Sequence, residues 1–399
     1  MADGYPTRTQ EVLITGQAVR ARLAYVDNLR WTMILLVISM HAADTYSPLG
    51  NWYFTDRRPI TPATLLFFAA WQMYLQSFFM GLLFFVAGYF VPSSFDRKGF
   101  ARFVRDRAFR LGLPVLFYMF ILGPVTEYFF SHSWNSTEPT SFANEWIKHI
   151  RNGQFMQENG PLWFCLALLI FSVVYAVTRS PSRFRARLSN KQEEKSPPGS
   201  LKLIAFAFGM AAFEFLIRLM LPGVTFLNMH LGDFSQYILL FSAGILAARG
   251  EWLPKLSFAT GMKWLVIVLP LGFAAWFTML SKGGALTGHA SAFFGGWHWQ
   301  SAALDLWESF TCVAMSLGLL ALFREHFNSQ GRLGKFLSDN AFGVYVFHPP
   351  IVIAGARLLH GFSWNPLLKF GLLTGFGIIV SFVLTAAVFR RTPLLRQIL

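Results

Sequence analysis

The sequence predicts an all-α polytopic membrane protein with about ten transmembrane helices and both termini in the cytoplasm. Three observations carry that reading. Hydrophobic residues make up 54% of the 399 and charged residues only 14%, with a mean hydropathy of +0.44. The apolar residues fall in long unbroken runs, and the basic residues gather in alternate loops between them. A soluble domain carries about 25% charged residues, and 44 Phe with 13 Trp exceed what a water-soluble core can hide. Soluble and disordered classes are excluded.

A hydrocarbon core of about 30 Å needs roughly 20 helical residues to cross it. Ten runs qualify: 29–47, 65–91, 111–130, 161–178, 201–221, 234–249, 263–281, 303–323, 341–359 and 367–389. His41 and Asp44 interrupt the first, and the sixth is short. The runs are continuous rather than alternating, which excludes barrel strands. Residues 1–28 form a polar cytoplasmic tail without the apolar core of a signal peptide. Residues 29–389 make one ten-helix membrane domain, and 390–399 a second cytoplasmic tail. A polar linker at about 179–200 divides the domain into a first part of four helices and a second of six. No repeat relates the two parts, so an inverted-repeat transporter gains no support. The loops 131–160 and 282–302 are long for a bundle, which suggests a function.

Orientation follows from the positive-inside rule. Of the 34 Lys and Arg, 26 lie on the side of the N-terminal tail and six on the other. That arrangement accounts for the net charge of +14 without a nucleic-acid partner. Cys165 and Cys312 each sit inside an apolar run and give neither a disulfide framework nor metal-site spacing, so no metal is expected.

Ionisable groups at a helix centre cost roughly 2.5–3.5 kcal/mol each, and so need an explanation. Arg30 and His41 are separated by eleven helical steps. They fall within about 20° of one face, about 16 Å apart along the axis. Asp44, one turn beyond His41, is placed to bond its imidazole and fix the tautomer, as a general base requires. A packed histidine beside a snorkelling Arg30 explains the spacing about equally well. Arg107 and Arg110, i and i+3, are placed to grip phosphates, although ordinary positive-inside charge also accounts for them. Glu214 and Arg218 are expected to neutralise each other within the fifth span. Asp305 and Glu308 open the eighth span, where capping and acceptor binding both remain open. Pro349 and Pro350 are expected to kink or unwind the ninth span beside His348, in a cavity-lining position. His289, His298, Trp297 and Trp299 read as interfacial anchors, with a carbohydrate-stacking surface as the alternative.

These residues resemble the acyltransferase family 3 membrane enzymes. The shared features are Arg30 and His41 as R-x10-H, Arg107-Ala108-Phe109-Arg110 as R-x-x-R, and Phe84-Phe85-Val86-Ala87-Gly88-Tyr89. Pro161-Leu162-Trp163-Phe164 and Val344-Tyr345-Val346-Phe347-His348-Pro349 extend the likeness over nearly the whole chain. Within that family, the first span, the arginine segment running into Leu113-Pro114 and Thr392-Pro393-Leu394-Leu395 are similar to the subgroup that succinylates periplasmic glucans. Asp44 departs from that subgroup's pattern.

The resemblance implies transfer of an acetyl or succinyl group from cytoplasmic acyl-CoA to a hydroxyl of an extracytoplasmic carbohydrate or similar acceptor. Acyl-CoA would be a co-substrate, with no permanently bound cofactor. His41 would act as general base, oriented by Asp44, or as an acyl-carrying nucleophile. Arg30, Arg107 and Arg110 would hold the CoA phosphates, and Tyr89, Trp163, Glu308 and His348 would line the site. The expected location is the bilayer of a bacterial inner membrane. The competing class is a proton-coupled transporter or a flippase of a lipid-linked sugar, with His41, Asp44, Glu214 and Arg218 as a relay. A non-catalytic relative of the enzymes is the third reading.

Overall fold

The computed structural model describes residues 23–50, 52–132, 141–156, 159–179, 196–285 and 290–398. Residues 1–22 of the expected cytoplasmic tail, most of the linker at 179–200 and His289 lie outside these residues, and 24–28 of that tail are already helical. In lipid an apolar segment satisfies its backbone only as a helix or a closed barrel, and every predicted run is helical. The main helices are α1 (Ala24–Tyr46), α2 (Pro62–Lys98), α3 (Phe100–Phe130) and the short α4 (Phe142–Arg151). They continue with α5 (Trp163–Arg179), α6 (Ser200–Met220), α7 (Phe234–Arg249) and α8 (Phe258–Lys282). The last three are α9 (Trp299–His326), α10 (Arg332–His360) and α11 (Pro366–Leu384).

Among the described residues, nine helices are long and apolar enough to cross a membrane, and α1 is not one of them. Its 23 residues include Asp27, Arg30, His41 and Asp44, which spoil its composition. Instead α1 is wrapped by protein: it packs on α2, α9, α10 and α11, and Leu29, Met33, Ile38 and Ala42 are each at most 1% exposed. α8 is the opposite case. Only 17% of its most apolar window is buried, and Val266, Leu271 and Phe273 face outward.

α3 begins at Phe100, well before the predicted start at 111. The extra turns, FARFVRDR, are basic and amphipathic, so they escaped a search for apolar runs. α3 also contains wide π turns at Ala108–Gly112 and Tyr118–Leu122. Each is followed by a proline, Pro114 or Pro124. A proline ring collides with the carbonyl four residues earlier, here Arg110 or Phe120, and the wide turn moves that carbonyl aside.

Of the two outcomes expected at Pro349 and Pro350, a kink or local unwinding, α10 excludes the unwinding, because the helix runs unbroken through both. Pro349 has no N–H for the Tyr345 carbonyl. His348 Nδ1 takes that place at 2.9 Å, so the orphaned acceptor is satisfied without opening the helix.

α2 and α7 meet backbone to backbone. A Cβ at Gly88 would run into the Phe241 carbonyl, and one at Gly244 into the Phe85 carbonyl. Small residues of this kind let membrane helices approach closely. Thr225–Phe226 and Met229–His230 form a two-stranded hairpin. Its turn residues Leu227 and Asn228 have φ of 49° and 59°, the left-handed pair of a tight hairpin turn.

A strap, residues 47–50 and 52–61, links α1 to α2 at the end of the molecule opposite the basic residues. Asp56 ties it down: its N–H donates to the Thr45 carbonyl at 2.8 Å, and its carboxylate accepts from Lys369 Nζ at 2.7 Å. Arg58 Nε and His360 Nδ1 each lie 3.2 Å from the other carboxylate oxygen. Burial alone would raise the Asp56 pKa, but Lys369 and Arg58 together hold it below the usual carboxylate range.

Candidate active site

Two cavities enter the bundle from opposite ends. The inner one, about 290 Å3, opens among the basic residues and is lined by Asp27 and Arg30 of α1, Leu83 and Ala87 of α2, Leu111 of α3 and Tyr345 of α10. The outer one, about 770 Å3, is lined by His41 and Asp44 of α1, Gln72 and Gln76 of α2, Trp163 of α5, Asn228 and His230 of the hairpin, Asp233, Glu308 of α9 and again Tyr345. Tyr345 is the one described residue that lines both. Its hydroxyl donates to the Pro161 carbonyl.

His41 stands at the floor of the outer cavity with its side chain 18% exposed. Its Nδ1 lies 3.2 Å from Asp44 Oδ2, and Asp44 Oδ1 accepts from Gln72 Nε2 at 2.7 Å. A carboxylate only accepts, so it fixes Nδ1 as the protonated nitrogen and leaves Nε2 with its lone pair. Gly50 closes over this pair. A Cβ there would sit 2.8 Å from the Asp44 Cα, so the strap passes at a distance only glycine permits.

Three flat rings meet at this point. Trp52, from the strap, lies on His41 with centroids 3.7 Å apart. His348 lies beside this pair in a near-parallel plane, its centroid 5.3 Å from His41 and 6.5 Å from Trp52. The carbonyl held by His348 Nδ1 likewise makes its Nε2 the bare nitrogen, and that atom is buried without a hydrogen-bond partner.

Five charged groups converge above. Arg218 Nη2 lies 3.0 Å from Glu214, 3.0 Å from Asp233 and 2.9 Å from Glu308, and Nη1 pairs with Asp305. Carboxylate oxygens of Glu214, Asp305 and Glu308 lie within 4.8 Å of one another, a spacing that would suit a metal ion, but the guanidinium already supplies positive charge there. Asp305 lies in the second turn of α9 rather than at its start, so it binds Arg218 instead of capping the helix.

The sequence-derived candidates divide between these places. His41, Asp44, Trp163 and Glu308 share the outer cavity, while His348 lies beside His41 and lines neither cavity. Arg30 faces the inner cavity with its guanidinium 5.0 Å over the Phe90 ring. Arg107 is in the electrostatic field of both Arg30 and Arg110, so the three arginines form one positive cluster. Tyr89 is buried and packs edge-on to Phe90, lining neither cavity. Trp297 and Trp299 are exposed, at 79% and 56%. Sequence reasoning missed Trp52, Gln72, Asp233 and the Asp56–Lys369 pair. Only Lys369 carried a signal, as a lysine within the first turn of an apolar run.

A family model described as an acyltransferase domain matches residues 23–386. Glucans biosynthesis protein C of Salmonella paratyphi A is 24% identical over 383 residues, covering 93% of each chain, and that of Salmonella agona is equally similar. No solved structure gives a significant match. The family match encloses both cavities and every side chain described above, and the chain belongs to the acyltransferase domain family.

Proposed function

We propose that this integral membrane acyltransferase takes an acyl group, acetyl or succinyl, from acyl-CoA at the basic, cytoplasmic end and passes it to a hydroxyl of an extracytoplasmic glycan or similar acceptor. The carrying observation is that one helix, α1, presents Arg30 to the inner cavity and His41 to the outer one. The separation between them, about 16 Å along the helix, is roughly half of the ~30 Å hydrocarbon core. The uncharged pantetheine arm of CoA has to bridge that distance. Arg30, Arg107 and Arg110 supply charge for the CoA phosphates, where guanidinium groups bind bidentately.

In this reading the acceptor hydroxyl donates its proton to His41 Nε2 as its oxygen attacks the thioester carbonyl carbon. Asp44 holds the imidazole and offsets its charge once it is protonated. The C–S bond then breaks, the thiolate leaves, and the imidazolium returns the proton to sulfur. No proton is gained or lost over the cycle. The similarity to glucans biosynthesis protein C supports a glycan acceptor, and a bacterial inner membrane is the setting that fits it.

The purified protein in detergent or liposomes, supplied with a panel of short acyl-CoAs, should release CoA when the acceptor is added. His41→Ala should not. Normal turnover in that variant would sink the assignment. Gradient-driven uptake without CoA release would instead favour the transporter reading. An acyl group trapped covalently on His41 would convert the base into a nucleophile.

A further inference from the structure

The proposed function uses one histidine, yet a second imidazole lies beside it. His348 is fully buried and lines neither cavity, so it can act on a substrate only through another group. Its tautomer follows from the chain. Pro349 has no N–H for the Tyr345 carbonyl, and His348 Nδ1 donates to that oxygen instead. Nε2 therefore keeps its lone pair, and it is buried without a partner. An unsatisfied buried acceptor of this kind requires an explanation.

The ring separations show where that imidazole sits. Trp52 is in face-to-face contact with His41 at 3.7 Å, so the line between them is close to the normal of the His41 ring. His348 is 5.3 Å from His41 and 6.5 Å from Trp52, distances that make a right angle at His41. His348 therefore lies close to the plane of the His41 ring, and the two planes agree to 13°. The rings meet rim to rim, about 3 Å apart, which is a hydrogen-bonding separation. Trp52 Nε1 is also buried without a partner, but it does not serve this lone pair. Its N–H lies in the indole plane, parallel to His348 within 11° and a ring thickness above it.

When His41 takes a proton, every hydrogen on its rim becomes more positive. A neutral lone pair beside that rim, in surroundings that screen little, favours the imidazolium over the imidazole. We propose that His348 is a positioning residue for acyl transfer: its bare Nε2 stabilises protonated His41 and holds the ring in place from the rim, while Asp44 holds Nδ1. The proposal rests on the reading of His41 as general base and adds a second histidine to it. The proton still moves from the acceptor hydroxyl to His41 and on to the thiolate sulfur, and none passes to His348.

The experiment follows CoA release from one short acyl-CoA with one oligosaccharide acceptor, in the wild type, His348→Asn, His348→Gln and His41→Ala. Rates are counted per acyl-CoA-binding site, so unfolded protein drops out. Asparagine puts an amide where Nδ1 stands and can still donate to Tyr345, but has nothing at Nε2. Glutamine puts an acceptor oxygen near Nε2 and gives up the Nδ1 donor. His348→Asn should lower kcat by about ten-fold or more, the effect of losing one acceptor beside a charged group, with the KM for acyl-CoA little changed and Tm near that of the wild type. His348→Gln should keep kcat within about three-fold of the wild type while its Tm falls. Full turnover in His348→Asn, or an equal fall in kcat in both variants, overturns the inference and leaves the acyltransferase reading intact. A rise in KM at constant kcat overturns it in favour of donor binding. Wild-type turnover in His41→Ala, or no CoA release from the wild type, overturns the reading on which the inference rests.

Discussion

The indole of Trp52 lies flat on the imidazole of His41, with centroids 3.7 Å apart and planes within 14° of parallel. An aromatic face attracts a cation, by about 0.5–2 kcal/mol depending on exposure, so in the proposed mechanism this ring favours the imidazolium formed when His41 takes a proton. Trp52→Ala should therefore lower kcat by roughly two- to thirty-fold with little change in the KM for the acyl donor. Trp52→Phe should retain most of the activity. A pure KM effect would show that the indole binds substrate rather than supporting His41.

His41→Gln should remove the general-base contribution, a fall of about 100- to 10,000-fold in turnover. Asp44→Asn preserves shape but gives up the full charge that fixes the tautomer, so its loss should be smaller. Gly50→Ala should imitate Asp44→Asn, because the added methyl displaces the Asp44 side chain. Single-turnover rates in the three variants test that ordering.

Arg107→Ala and Arg30→Ala should raise the KM for acyl-CoA by about ten- to a hundred-fold, the worth of one charge-assisted hydrogen bond, with kcat little changed. Acyl-CoA binding measured directly checks the result. Unchanged affinity in both variants would remove the phosphate role from the arginine cluster.

The strap gives a pH-dependent prediction. The folded Asp56 pKa lies below its unfolded value, so its bonds to Lys369 and Arg58 stabilise the fold above the ordinary carboxylate pKa of 3.8. That stability is lost as the pH falls through the lower, folded value. Lys369→Met should lower Tm near pH 7 because it leaves Asp56 short of its buried partner. The gap in Tm between variant and wild type should then narrow as the pH drops below 4, read by intrinsic fluorescence on heating.

What the sequence made legible were the features written in local periodicity. Apolar runs marked the helices, the i, i+3 step joined His41 to Asp44, and the i, i+4 step joined Glu214 to Arg218. Charge in apolar surroundings has few ways to be satisfied, so those pairs could be anticipated. Trp52 and Asp56 lie in a segment without periodicity, and their partners His41 and Lys369 are reached through the fold rather than along a helix. The closing of the Arg218 cluster by Asp233, Asp305 and Glu308 needed three elements at once. The unbroken α10 was hidden for another reason: a side chain replaced the missing backbone donor, which a proline rule alone does not foresee.

Tyr345 has an electrical consequence. The inner and outer cavities share Tyr345 as a common wall, so water filling both would leave that phenol as the barrier between them. Each elementary charge carried across 100 mV is worth about 2.3 kcal/mol, and the proposed two-sided transfer requires that protons not take that route. The hydroxyl held by the Pro161 carbonyl then works as an insulator between two conductors. Tyr345→Ala, reconstituted in liposomes, should dissipate an imposed pH gradient faster than the wild type. Equal leak rates would place the insulation elsewhere.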